Sequence, residues 1–277
     1  MSALKQFTSI TLMVAIAIFS LSQKANSQSQ SKQTNMKNVK NVVLVHGAFA
    51  DGSSWSKVIS ILQAKGLNVV AVQNPLSSLK EDVTVTKRAI ALMDGPVLLV
   101  GHSYGGMVIS EAGKDPKVAG LLYVAALIPE EGQNVSDVNA AMPTTGVERL
   151  FQLGADGFLY LPQQGIDEHF AQDVPAEERK VIFATQGSWA ASATQEKVYS
   201  PAWTTKPSWA IVAAKDGMIN PDLERFKAKL IKATTIELNS SHVPMVSQPA
   251  QVANFIIEAT QKLKTGNPAL KSQTVTN

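Results

Sequence analysis

The chain has 277 residues, with 25 basic and 22 acidic side chains and a formal net charge of +3. Hydrophobic residues make up 45% and charged residues 17%, which supplies a core for one large domain or two small ones and argues against intrinsic disorder. Cysteine is absent, excluding disulfides, thiolate metal sites and a cysteine nucleophile, and the four histidines (His46, His102, His169, His242) include no pair at short helical spacing, so no metal site is expected.

In chain order, Lys5 precedes an apolar run, Ile10–Leu21, and then the small residues Ala25-Asn26-Ser27. This reads as an export signal over residues 1–27, cut between Ser27 and Gln28, and places the mature chain in the periplasm or outside the cell. The run falls short of the roughly 20 residues a bilayer span needs; an uncleaved anchor is the alternative. Residues 28–40 and 265–277 are polar and read as a disordered leader and tail. Eight basic residues (Lys5, Lys24, Lys32, Lys37, Lys40, Lys262, Lys264, Lys271) sit at the two ends, and residues 41–261 hold 17 basic against 22 acidic side chains, a net charge of −5. A mildly acidic body offers no nucleic-acid surface, and no stable membrane partner is expected.

The body, 41–264, alternates short apolar runs with amphipathic stretches. Val42–Val45, Asn68–Val72, Val97–Val100, Val118–Val124, Ser208–Ala214 and Thr234–Leu238 read as strands. Helices are expected over Trp55–Leu62, Asp82–Met93, Met107–Ala112, Leu223–Leu230 and Val252–Leu263. Uniformly apolar strands alternating with helices predict an α/β fold, a mostly parallel central sheet with helices on both faces. Approximately 129–206 breaks this rhythm with weak helical signals and many aromatic residues, and is expected to be a helical cap inserted after strand 118–124.

Gly101-His102-Ser103-Tyr104-Gly105-Gly106 follows a strand and precedes a helix. That is G-x-S-x-G in the strand–turn–helix setting that presents a serine hydroxyl at the carboxyl end of a sheet. A serine nucleophile needs a base to take its proton and an acid to orient that base. Of the histidines after Ser103, His169 lies in a charged stretch that reads as a solvated helix face, whereas His242 follows the last strand. His242 is therefore the expected base. Asp216 ends the penultimate strand, with Gly217 permitting the turn, and is the expected acid over Glu130, Glu131 and Asp137. The backbone N–H of Tyr104 and one from the His46-Gly47-Ala48-Phe49 loop, Ala48 before Phe49, would bind an oxyanion. His46 and His102 read as structural. Phe49, Met107 and Met218 flank this machinery, and the cap residues Phe158 and Trp189 are further pocket candidates.

VVLVHGAFADGSSW over Val42–Trp55, GHSYGG, the Asp216 turn and Ser241-His242 together closely resemble the α/β-hydrolase superfamily over nearly all of 41–263. Within it, the chain looks like the small capped carboxylesterases, a group that includes plant methyl-ester esterases, hydroxynitrile lyases and bacterial relatives. The resemblance implies an α/β-hydrolase fold, a Ser–His–Asp triad, no cofactor, a mobile cap and a small-molecule ester substrate. The related lyases tend to carry Thr after the His of the HG motif and Lys after the catalytic His. Gly47 and Val243 occupy those positions here, which favours a serine esterase acting on small to medium apolar esters. An amide or lactone hydrolase, a perhydrolase and a non-catalytic ligand receptor on the same scaffold are the alternatives.

Overall fold

The computed structural model describes residues 39–263; the expected export signal, nearly all of the expected leader and the expected tail lie outside the described residues. Nine strands are described: β1 Asn41–Val45, β2 Asn68–Ala71, β3 Val97–His102, β4 Val118–Val124, β5 Gln152–Leu153, β6 Phe158–Tyr160, β7 Trp189–Ala190, β8 Ser208–Ala213 and β9 Thr234–Leu238. Six of them form one sheet in the order β2-β1-β3-β4-β8-β9, every neighbouring pair parallel. The inner strands β1, β3 and β8 are buried along their whole length, which is why their sequences are apolar without alternation. The outer strands β2 and β9 are half-exposed.

The main helices are α1 Ser56–Ala64, α2 Leu79–Ala91, α3 Gly105–Ala112, α4 Val135–Asn139, α5 Ala176–Thr185, α6 Pro221–Leu230 and α7 Pro249–Lys262. Pairs α1–α7 and α2–α3 pack together, and α6 packs on β8. Helix α2 starts three residues earlier than its apolar pattern suggests, because Ser78 accepts a hydrogen bond from the Glu81 N–H at 3.1 Å and caps the first turn. The chain runs from β1 outward to β2, then crosses back to β3 on the other side of β1. That reversal puts the carboxyl ends of β1 and β3 side by side at the switch point, where open α/β sheets bind ligands.

Between β4 and β8 the cap is not purely helical. Besides α4 and α5 it contains a small antiparallel sheet, β5-β6-β7, with strands of two or three residues, too short for any alternation to be read. Residues Ile166–Phe170 form a π-helical turn. Glu196 joins the cap to the sheet domain by accepting the Leu79 and Lys80 N–H groups at the start of α2, each at 3.2 Å. No helix among the described residues is long and apolar enough to cross a membrane.

Candidate active site

Ser103 sits between β3 and α3 with φ of 53°, a left-handed conformation that a non-glycine residue adopts at a cost of about 1–2 kcal/mol. The surrounding glycines make the turn fit. A Cβ on Gly101 would lie 2.6 Å from the Gly105 carbonyl oxygen, and one on Gly105 would lie 2.7 Å from that of Val45. The Ser103 carbonyl accepts from the N–H groups of Gly106 at 2.9 Å and Leu127 at 3.1 Å, which fixes the turn against the loop after β4. Gly47 faces the nucleophile: its Cβ would fall 2.6 Å from Ser103 Cβ and 3.1 Å from Oγ. Close approach, rather than a turn conformation, explains the glycine there. Among the described residues the Ala48 and Tyr104 N–H groups have no hydrogen-bond partner, and both residues line the cavity beside Ser103.

His242 and Asp216 meet across the ends of β9 and β8. The His242 Nδ1–H donates to Asp216 Oδ2 at 2.5 Å, and both side chains are buried. Asp216 Oδ1 accepts the Met218 and Ile219 N–H groups at 2.7 and 2.9 Å, so the carboxylate is held by its own turn. Nε2 of His242 is buried and has no partner among the described residues. The competing carboxylates are occupied elsewhere: Glu130 pairs with Lys227 at 2.8 Å, and Asp137 closes a capping box with Asn134 on α4.

The remaining histidines contribute more than position along the chain suggests. His102 is buried, and its Nε2–H donates to the His242 carbonyl at 2.8 Å, with the two rings 4.7 Å apart. Burial, then the neighbouring His242, hold its pKa well below the ordinary value, so it stays neutral. His46 donates from Nδ1 to the Gly47 carbonyl at 2.8 Å and accepts the Asn74 N–H on Nε2 at 2.9 Å; burial lowers its pKa too. His169 does not face solvent. It is half-buried, and its Nδ1 lies 3.2 Å from the Gly217 carbonyl oxygen. A Cβ on Gly217 would come 2.7 Å from the His169 backbone, and Gly217 has no positive φ, so glycine is there for the cap's approach and not for the turn.

The same cap segment holds both loops that carry Asp216 and His242. Gln172 donates to the Lys215 carbonyl at 2.6 Å, and Asp173 accepts the Ser241 N–H at 2.9 Å. Phe170 packs edge-on against His242 with centroids 5.2 Å apart. On the opposite side the Tyr104 hydroxyl donates to buried Asp82 at 2.9 Å, and the Leu76 N–H donates to the other oxygen of that carboxyl at 2.9 Å. Burial raises the Asp82 pKa to about 6 and pushes the Tyr104 phenol above its ordinary value.

A cavity of about 240 Å³ opens on Ser103. Its walls include Phe49, Leu127, Phe151, Leu159, Trp189 and Met218, with polar groups only at Ser136, Asn139, Glu148 and Thr194 besides the serine and tyrosine of the elbow. Trp189 stands 4.9 Å from the Tyr104 ring and 6.0 Å from the Phe49 ring. Two expected pocket residues fall outside the lining. Met107 is wholly buried on α3, packed into the core, and on β6 it is Leu159, not Phe158, that faces the cavity. Among the described residues no cluster of three or more His, Cys, Asp or Glu is placed to hold a metal ion.

Comparison with known proteins agrees with this architecture. The model of the alpha/beta hydrolase family matches residues 42–255. Salicylic acid-binding protein 2 of Nicotiana tabacum is 36% identical over 118 residues, covering 37% of this chain and 45% of that protein. The carbendazim hydrolyzing esterase of a Nocardioides species is 30% identical over 167 residues, covering 54% of this chain and 65% of that protein. The chain thus matches less than two thirds of the length of either. Among solved structures, polyneuridine aldehyde esterase superposes with a TM-score of 0.69 at 18% identity, over 80% of this chain and 99% of that one. An extracellular alpha/beta-hydrolase from a Paenibacillus species superposes equally well, TM-score 0.69 at 18% identity, over 79% and 98%. With the family model matched from β1 into α7, the chain belongs to the alpha/beta hydrolase family.

Proposed function

We propose that this protein is a serine carboxylesterase with Ser103, His242 and Asp216 as its triad. The observation that carries the reading is the buried 2.5 Å contact between His242 Nδ1 and Asp216, which leaves Nε2 without a partner, in a chain whose elbow serine sits at φ 53°. In the first step Nε2 takes the Ser103 hydroxyl proton as Oγ attacks the ester carbonyl carbon. The oxyanion formed is bound by the Ala48 and Tyr104 N–H groups, reinforced by the positive end of α3, which begins at the next residue. His242 then protonates the departing alcohol, leaving an acyl-Ser103. Water, deprotonated by the same imidazole, attacks the acyl carbon and releases the acid while Oγ recovers its proton.

The cavity's apolar walls fit small to medium uncharged esters. Relatives named as a carbendazim hydrolyzing esterase and a pyrethroid hydrolase support ester cleavage as the reaction class. The test is Ser103→Ala on short p-nitrophenyl esters, alongside labelling by a phosphonate. Turnover and labelling should both vanish in the variant; an alanine variant that keeps its rate removes the triad reading. Matched ester, amide and lactone panels decide between the esterase and its nearest alternatives.

A further inference from the structure

Helix α6 carries a carboxyl group that the reaction above does not use. Glu224 lies on the inner face of α6 and is 4% exposed; Asp216, just before that helix, is 6% exposed. Glu224 Oε2 accepts the Ala213 N–H at 3.1 Å, at the end of β8. Its Oε1 is buried, and no N–H or O–H donor among the described residues reaches it. The same turn carries Asp216, whose N–H donates to the Ala213 carbonyl at 3.1 Å and whose buried carboxyl acts on Glu224. Two carboxylates make no hydrogen bond with each other unless a proton lies between them, and two that share a buried site do not both ionise.

Donor counting says where that proton resides. Asp216 accepts three hydrogen bonds, from the Met218 and Ile219 N–H groups and from His242. Glu224 accepts one. The carboxyl with more donors keeps the charge. Burial, and then the charge on Asp216, push the Glu224 pKa well above the ordinary value. Of the cations on the same helix, Arg225 is at the surface and engaged by Glu237 and Asp222, Lys229 is exposed, and buried Lys227 is engaged by Glu130 and Gln133. None of them is hydrogen-bonded to the pair.

We propose that Glu224 is a neutral positioning residue, whose carboxyl O–H donates to Asp216 and fills the last acceptor direction of the triad acid. This rests on the triad reading given above. The O–H holds the Asp216 oxygens in place for His242 without adding a second negative charge behind the imidazole.

The test compares Glu224→Gln and Glu224→Leu with wild type. The glutamine amide keeps both a donor toward Asp216 and an acceptor for the Ala213 N–H. E224Q should therefore hold kcat/KM within about threefold and leave the acid-limb midpoint of the pH–kcat/KM profile in place. E224L should lose about tenfold in kcat and move that midpoint upward, since Asp216, short of one donor, pulls harder on the imidazolium. A midpoint that falls in E224Q would mean an ionised Glu224 and overturn the proposal. An unmoved midpoint in E224L would reduce Glu224 to a structural part. Infrared difference spectra of wild type against E224Q at pH 7 keep the test decisive if E224L does not fold: a protonated-carboxyl C=O band that disappears in E224Q is expected, and its absence overturns the proposal. That readout needs no turnover, so it stands apart from a failure of the triad reading, which would show as activity retained in S103A.

Discussion

The carboxyl of Asp82 behind Tyr104 offers a quantitative handle on the oxyanion side of the site. Burial raises its pKa from 3.8 to about 6, against the opposing help of the Leu76 N–H and the Tyr104 O–H. At about 1.4 kcal/mol per tenfold, that difference means the ionised form costs the folded state about 3 kcal/mol. The sign follows from proton counting. Between pH 3.8 and about 6 the folded chain binds this proton more tightly than the unfolded chain does, so the contribution of Asp82 to stability falls as pH rises through that window and stays lost above it. Asp82→Asn removes the charge while its amide oxygen still accepts the Leu76 N–H and its NH2 donates to the Tyr104 oxygen. The neutral histidines His46 and His102 have an opposite dependence, because lowered pKa values cost stability as pH falls. Subtracting the variant from wild type cancels them. Urea unfolding at pH 4 and pH 8 should show D82N gaining on wild type by about 2–3 kcal/mol between the two conditions. A difference that stays flat would show that Asp82 is solvated in the folded state and refute the reasoning.

Two further substitutions probe the site directly. Asp216→Asn should lower kcat by about 10⁴-fold on p-nitrophenyl esters: the Met218 and Ile219 N–H groups hold one side-chain oxygen, which forces the new amide nitrogen toward His242 and imposes the tautomer with Nε2 protonated. Gly47→Ala places a methyl 2.6 Å from Ser103 Cβ and 3.0 Å from the His102 carbonyl oxygen, so the elbow has to shift, and kcat should fall about 100-fold while circular dichroism stays that of wild type.

What could be read from sequence was whatever had a local signature. The elbow was legible because Gly101, Ser103 and Gly105 lie within five residues directly after an apolar strand. Asp216 and His242 stood out as candidate acid and base because each follows a strand in the order that the elbow demands. Other features had local signatures that periodicity masks. Ser78 and Glu81 spell the S-x-x-E start of α2, which the apolar pattern alone delays to Asp82. Buried charges leave a fainter mark: Asp82 shares a helix face with buried Leu79, Val83, Thr86 and Ile90, and Glu224 neighbours buried Leu223 and Ala228 on α6. An acidic residue on an apolar stripe was the available signal. The cap resisted because its strands are two or three residues long and its helix α5 has no buried residue. Aromatic content therefore said that the cap packs without saying how; Phe158 was placed at the pocket on that content, and Met107 on proximity to the elbow in sequence.

The buried polar residues around the site share one logic. Burying a polar group costs stability unless it is hydrogen-bonded, so each such residue must return something to the fold. His46 binds the Gly47 carbonyl and Asn74, and so fixes the loop that carries Ala48. Asp82 anchors the Tyr104 side chain, whose backbone N–H faces the same cavity. His102 holds the backbone of His242. Glu224 holds the Ala213 N–H, three residues before Asp216. These four come from the loop after β1, α2, β3 and α6, which are far apart in sequence, yet each acts on a different part of the site. The working parts themselves sit on loops, where backbone freedom is greatest. Rigid strands and helices supply the fixed points, and the buried hydrogen bonds carry that rigidity into the loops. A core filled with apolar residues at those four positions would fold as well or better and would hold the loops less firmly.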